Sequence, residues 1–200
     1  MEYILVIIVG YIIGNINPAI LIVRHVKNID IRDVNSKNAG TSNAALTLGM
    51  KYGVLVGFLD LFKGLIPGLL LRFLIFPDNN ILWVVGGLSI VAGHVFPLFY
   101  DLKGGKGTAT FGGLVLALIP IPGIILFVLF WVITYFTDFI AIATITIIIA
   151  VPVIMAFQDY SPVSIFFVII FCLVSIYKHL PNLIRIYKRD EKGLSVALKK

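Results

Sequence analysis

The sequence predicts an all-α integral membrane protein of about seven transmembrane helices, with the N-terminus outside and the C-terminus cytoplasmic. Three observations carry that expectation. Of the 200 residues 60% are hydrophobic and 13% charged, with a mean hydropathy of +1.04. An ordinary soluble domain runs roughly 45–50% apolar and about 25% charged. Apolar runs recur near 3–23, 52–75, 81–99, 108–119, 121–136, 139–157 and 162–178, and the basic residues gather on one side of them. A chain with so few polar side chains cannot coat a water-facing globule, so a soluble enzyme or a nucleic-acid-binding module is excluded.

The first run is expected to be a retained span. Its start, Met-Glu-Tyr-Ile-Leu, carries an acid where a signal peptide carries basic residues. The fourth and fifth runs are short for a hydrocarbon layer of about 30 Å. Pro120 and Pro122 lie between them, and the residue before a proline is pushed out of the helical region. A tight turn is expected there; one kinked span, giving six in all, is the alternative. The pairs Gly10–Gly14, Gly53–Gly57 and Gly64–Gly68 have a spacing that lets helices approach closely. The single Cys, Cys172, excludes a disulfide framework and a cysteine-based zinc cluster, and the three His are too scattered to mark a metal site. No linker, low-complexity tract or repeat divides the chain, so residues 1–200 read as a single integral domain.

Orientation follows from Lys and Arg. Fourteen of the 16 basic residues fall in 24–51, 100–107 and 178–200, Lys199 and Lys200 among them. The alternate segments carry Glu2, Asp78 and Asp159 and no Lys or Arg. The net charge of +6 is thus expected at the cytoplasmic face, where it suits topology, anionic lipid or an anionic substrate. Lys63 and Arg72 lie inside the second span. Asp60 and Lys63, three residues apart, can neutralise each other where either charge alone would cost about 2.5–3.5 kcal/mol. A structural pair is the default reading, and Arg72 can snorkel outward.

Three inner segments are richer in special residues than topology requires. The first, DIRDVNSKNAGTSN (30–43), combines Ser, Thr and Asn side chains with a glycine hinge, a lattice of short-range donors suited to oxyanions. Its plain alternative is a capped loop that starts the second helix. In the second, GHVFPLFYDLKGGKGTATFGG (93–113), Lys103 and Lys106 flank Gly104 and Gly105, and Gly107 follows. Glycines let backbone N–H groups approach a phosphate, while a helix starting near Thr108 points its positive end at it. The order is not that of a Walker A loop. The third, HLPNLIRIYKRDEK (179–192), sets His179, Asn182, Arg185 and Arg189 on one helical face. Pro181 is expected to break the helix just after the membrane. A basic interfacial helix would account for the Arg and Lys but not for His179 and Asn182.

His25 and Asp30 fit the His-x4-Asp pattern of many acyl-CoA-using glycerolipid acyltransferases, but the second block of that pattern is absent. Taken together, the three segments resemble the bacterial acyl-phosphate:glycerol-3-phosphate acyltransferases, small seven-span enzymes of phosphatidic acid synthesis. The resemblance covers nearly the whole chain. GNINPAILIVR (14–24) looks like the family's Gly-Ser-Ile-Pro opening and continues through Asp30-Ile31-Arg32. SKNAGTSN (36–43) is similar to its Ser-Gly-Asn-x-Gly-Ala-Thr-Asn block, and DLFKG (60–64) to an Asp-x-x-Lys-Gly element that includes Asp60 and Lys63. GHVFPLFYDLKGGKGTAT is the most specific match, and HLPNLIR with Glu191 resembles the closing His-x-x-Asn-Ile-x-Arg…Glu. There are departures. Asn35-Ser36-Lys37-Asn38 stands for Gly-Ser-Gly-Asn, Leu46 for a phosphate-binding Arg, and Asp138–Ala141 for a Ser-rich stretch. Lys37 is a candidate to replace the missing charge.

The resemblance implies transfer of a fatty acyl group from acyl phosphate to glycerol 3-phosphate at the cytoplasmic face of the bacterial inner membrane. Partners are the two substrates and membrane lipid, no nucleic acid, with a monomer as the working unit; no metal or cofactor is expected. Ser36, Lys106 and His179 are the catalytic candidates. Lys106 with the Gly104–Gly107 backbone would hold the acyl phosphate, and Lys103 adds charge. Ser36, Asn38, Gly40, Thr41, Ser42 and Asn43 form the oxyanion lattice. His179 and Asn182 orient the acceptor, His94 lies close by, and Glu191 anchors the terminal segment. No Ser–His–Asp order or reactive Cys supports an acyl-enzyme. Either a histidine is general base, or a substrate phosphate oxygen takes the proton while the protein positions and neutralises charge; the second is favoured. The competing class is a small-anion transporter, whose site would lie near the midplane; a non-catalytic lipid-binding relative is the third.

Overall fold

Every regular element is helical among residues 1–198, which the computed structural model describes. Lys199 and Lys200, counted above toward the inner face, lie outside the described residues. Five stretches are long and apolar enough to cross a membrane: Glu2–Lys27, Met50–Ile75, Asn80–Tyr100, Pro120–Thr137 and Pro162–Tyr187. Two shorter apolar helices, Thr108–Leu118 and Ile140–Ala156, accompany them.

The first apolar run becomes two helices, α1 (Glu2–Asn15) and α2 (Pro18–Lys27), because Pro18 lacks the N–H that would continue the ladder. Pro18 instead opens α2, and the Asn17 side chain caps it by accepting from Ile20 N at 3.1 Å. A 3₁₀ turn, Ile31–Asp33, leads to α3 (Thr41–Leu48). Gly49, at φ +93°, bends the chain into α4 (Met50–Leu70), which ends in a π-helical turn over Leu71–Ile75. Then come α5 (Asn80–Val95), a 3₁₀ turn at Leu98–Tyr100, α6 (Thr108–Leu118) and α7 (Pro120–Thr137). Ile119 (φ −131°, ψ 70°) leaves helical geometry just before Pro120, so the expected turn between the fourth and fifth runs is present.

The chain continues through α8 (Ile140–Ala156), α9 (Pro162–Tyr187) and α10 (Leu194–Leu198). The expected break at Pro181 is absent: α9 runs through it. An internal proline costs about 3 kcal/mol, and bonds on both sides of it offset that cost. The His179 ring bonds Ser175 O at 2.8 Å, and Asn182 and Arg185 are both tied to Glu191.

Glycines set the closest helix approaches. A Cβ on Gly10 or Gly14 would strike the α5 backbone at Gly86 O and Ile90 O. One on Gly64 would strike Thr110 O of α6, and one on Gly113 would strike Leu61 O of α4. The expected packing role of the glycine pairs therefore holds for these interfaces. A core of Val91, Phe111, Leu114, Val115, Ile148 and Phe171 ties α5, α6, α8 and α9 together. The outward faces of α1, α7 and α9 keep Ile4, Leu5, Ile121, Ile125 and Phe166 exposed, as lipid-facing helices require.

Candidate active site

One cavity of about 450 Å³ is lined by residues from all three polar segments, Ser36, Lys106 and His179 among them. Its polar lining also takes in Asn38, Gly40, Thr41, Ser42, Gly107, Asn182 and Glu191. The same cavity has an apolar wall formed by Phe111, Val115, Leu126, Phe130, Trp131 and Ile148. A fatty chain and a phosphate could share it.

At the polar lining, α6 begins at Thr108. Gly107, at φ +82°, turns the chain into the helix in a conformation that a side chain would strain. The first-turn N–H groups of α6 have no partner within the helix and point their partial positive charge toward the cavity. Lys106 stands beside them and donates to the Asn182 side-chain oxygen. Asn182 in turn donates to Glu191 at 2.6 Å, and Arg185 holds the other Glu191 oxygen at 2.5 Å. Burial pushes the Lys106 ammonium down to about 8; Glu191 opposes that fall, and Arg185 and Lys178 deepen it. His179, 3% exposed, bonds Ser175 O through Nδ1, which must carry the hydrogen, and turns Nε2 toward Thr108 Oγ1 at 3.4 Å.

The cavity brings together most, but not all, of the residues expected from sequence. Gly104 and Gly105 do not offer their N–H groups to a ligand: they donate to Val95 O at 3.3 Å and His94 O at 3.1 Å. Both are glycines because a Cβ would collide with the end of α5, at His94 O and the His94 ring respectively. They dock the Lys106 loop; Gly107 alone of the expected glycines in that loop lines the cavity. Lys103 is exposed and off the cavity. Lys37 is likewise exposed, at φ +55°, and is not among the residues that line the cavity, as Leu46 is. Leu46 packs with Ala197 and Met50.

Other expected residues shape the loops. Asn43, 1% exposed, donates to Ile31 O, Val34 O and Asn38 O, fixing the curve on which Ser36 sits. Arg32 grips Asp30 at 2.7 Å and Tyr100 O at 2.7 Å, joining the first inner segment to the turn after α5. Asp60 receives Lys63 at 3.0 Å and His94 at 3.1 Å, so the expected pair is a cluster of three. Lys63 also donates to Gly14 O and Ile16 O, carbonyls left free where α1 ends. His94 thus lies beneath the loop as support, though it borders the cavity.

Sequence reasoning missed Thr108, Thr144 and Asp138. The two threonine hydroxyls meet at 3.4 Å beside His179; threonine in an apolar run gave no warning of that. Asp138 accepts from Ser195 N at 2.7 Å and Ser195 Oγ at 2.6 Å, and its carbonyl accepts from Leu194 N at 2.9 Å. It ties the C-terminal segment across the cavity mouth.

A helical membrane bundle whose cavity is lined both by cationic and by large apolar side chains defines an integral membrane protein suited to an amphiphilic anion. Residues 4–189 match the glycerol-3-phosphate acyltransferase family, and the chain belongs to it. A relative from Fusobacterium nucleatum, a glycerol-3-phosphate acyltransferase, is 34% identical over 191 residues, covering 96% of this chain and 97% of that one. The fold also superposes on the crystal structure of PlsY (YgiH), an integral membrane glycerol 3-phosphate acyltransferase, in its glycerol 3-phosphate form. That match has a TM-score of 0.88 and 32% identity and covers 97% of this chain and 96% of that chain. The lysophosphatidic acid form of the same enzyme matches with a TM-score of 0.83 at 31% identity, covering 96% and 95%.

Proposed function

We propose that this protein transfers a fatty acyl group from acyl phosphate to glycerol 3-phosphate, releasing lysophosphatidic acid and phosphate. The observation that carries the reading is that Ser36, Lys106, His179 and Asn182 line one cavity together with a set of large apolar side chains, Lys106 bonded to Asn182. Family membership and the glycerol 3-phosphate and lysophosphatidic acid forms of PlsY support it.

An acyl phosphate is a mixed anhydride, already activated. The acceptor hydroxyl attacks the acyl carbon, the bond from that carbon to the phosphate oxygen breaks, and the hydroxyl proton passes to a phosphate oxygen. Lys106 and the start of α6 stabilise the charge that gathers on the departing phosphate. Asn182 holds Lys106, and Glu191 holds Asn182. His179 offers Nε2 to the acceptor as an orienting group. The fatty chain lies along Phe111, Phe130 and Trp131.

The wider frame is part of the proposal. Two short helices, α6 and α8, join the five longer stretches as seven crossings of one domain. The N-terminus lies outside, and the cationic part of the cavity opens to the cytoplasm. The setting is a bacterial inner membrane and the unit a monomer with its own complete cavity. The distribution of Lys and Arg supports this orientation.

Purified protein given palmitoyl phosphate and labelled glycerol 3-phosphate should form labelled lysophosphatidic acid. Flux of label into liposomes without chemistry would make it a carrier instead, and palmitoyl-CoA used in preference to palmitoyl phosphate would overturn the donor assignment.

A further inference from the structure

The chain leaves α9 at Tyr187 and crosses the cavity mouth before α10, held at two points. Glu191 is bound by Asn182 and Arg185. Leu194 and Ser195 are bound by Asp138, and a Cβ on Gly193 would overlap the Asp138 carboxylate. Lys192 is strung between those anchors. Its backbone is fixed on both sides, and its side chain lines the cavity yet is exposed. The other cavity cations are engaged: Lys106 by Asn182, Arg185 by Glu191. Lys192 forms no hydrogen bond or ion pair among the described residues. Beyond it Ala197 packs on Leu46 and Met50, closing the segment against α3 and α4.

A lysine fixed at its backbone, free at its head and placed at a cavity rim is a receptor for an anion arriving from water. We propose that Lys192 binds the phosphate of the acceptor, and that Asp138 positions it by holding Ser195. The acceptor is chosen over the donor on physical grounds. A donor with a fatty chain is fixed by the apolar wall and presents its phosphate deep, near Lys106. The acceptor is wholly hydrophilic, and its phosphomonoester stays at the aqueous rim. This rests on the acyl transfer proposed above.

The test compares Lys192→Met, Lys192→Arg and Asp138→Asn with the intact protein in detergent. For Lys192→Met, the KM for glycerol 3-phosphate should rise about tenfold, the low end for a charged hydrogen bond, with kcat and the KM for palmitoyl phosphate within about twofold. Lys192→Arg should restore most of the loss. Asp138→Asn, which keeps the shape but weakens the hold on Ser195, should raise the same KM by a smaller factor. Equal KM values for Lys192→Met and wild type, no rescue by Arg, or a rise confined to palmitoyl phosphate would overturn the proposal. Direct binding of glycerol 3-phosphate without donor separates the two readings. A wild type that makes no lysophosphatidic acid fails the functional reading, while a Lys192→Met that binds glycerol 3-phosphate as tightly as wild type fails this one.

Discussion

The proposed reaction concentrates its demands on one nitrogen: Lys106 must be charged to meet a phosphate, yet burial favours its neutral form. With its pKa near 8, the ammonium is complete below neutrality and declines as pH rises through that value. The kcat/KM for the acceptor, which reads the free enzyme, should therefore fall on the alkaline side with an apparent pKa near 8. Lys106→Arg, whose guanidinium stays charged, should move that limb up past about 10 whatever the absolute rate. Lys106→Ala should cut turnover by about 10²-fold or more; a loss of only a few-fold would remove Lys106 from the stabilisation of the leaving phosphate. Much of this was legible, because a lysine among glycines before a helix start is a local pattern. The roles of Gly104 and Gly105 were not: whether a glycine frees an N–H for a ligand or admits a neighbouring helix end depends on what lies opposite, here His94.

At the scale of elements, α4 and α6 approach backbone to backbone through Gly64 and Gly113, and α6 lines the cavity with its first turn. Gly64→Ala must push α6 away at Thr110. Its cost should be that of overpacking, about 1–3 kcal/mol, seen as a lower melting temperature in detergent. Gly112→Ala, on the same helix but with nothing within 4 Å of the added carbon, should melt as the wild type does. Equal melting of both variants would refute the tight interface. The apolar runs gave most helices within a few residues. They succeeded at Pro120 and failed at Pro18 and Pro181, because rules of local geometry at a proline point both ways. Pro18 divides a run that composition presents as continuous, and Pro181 sits within a helix whose flanking His179, Asn182 and Arg185 are held by Ser175 and Glu191.

For the molecule as a whole, the orientation proposed above puts residues 37 and 78 on opposite sides of the membrane. In intact cells a membrane-impermeant maleimide should label Asp78→Cys and spare Lys37→Cys until the membrane is opened. Both replaced side chains are exposed, and the native Cys172 is buried, so background is low. The reverse labelling would invert the topology. Convergence of three distant segments on one cavity could be expected only through the resemblance. Spacing along the chain says nothing of which helix ends meet, and Asp138 closing on Ser195 spans an interval that no local motif records.

The shortness of α6 sets a depth. Its last carbonyls, at Ala117 and Leu118, are gripped by Arg72 and Tyr160, with Trp83 close to the same Arg72, the side chains that favour a bilayer boundary. Eleven residues climb about 16 Å from there, roughly half the hydrocarbon thickness. In the orientation proposed above, Gly107 and Lys106 then sit in a sunken well rather than flush with the opposite surface. In the proposed reaction the hydroxyl end of the hydrophilic reactant reaches down from the rim to the anhydride, and the greasy tail need never be hauled out into solution.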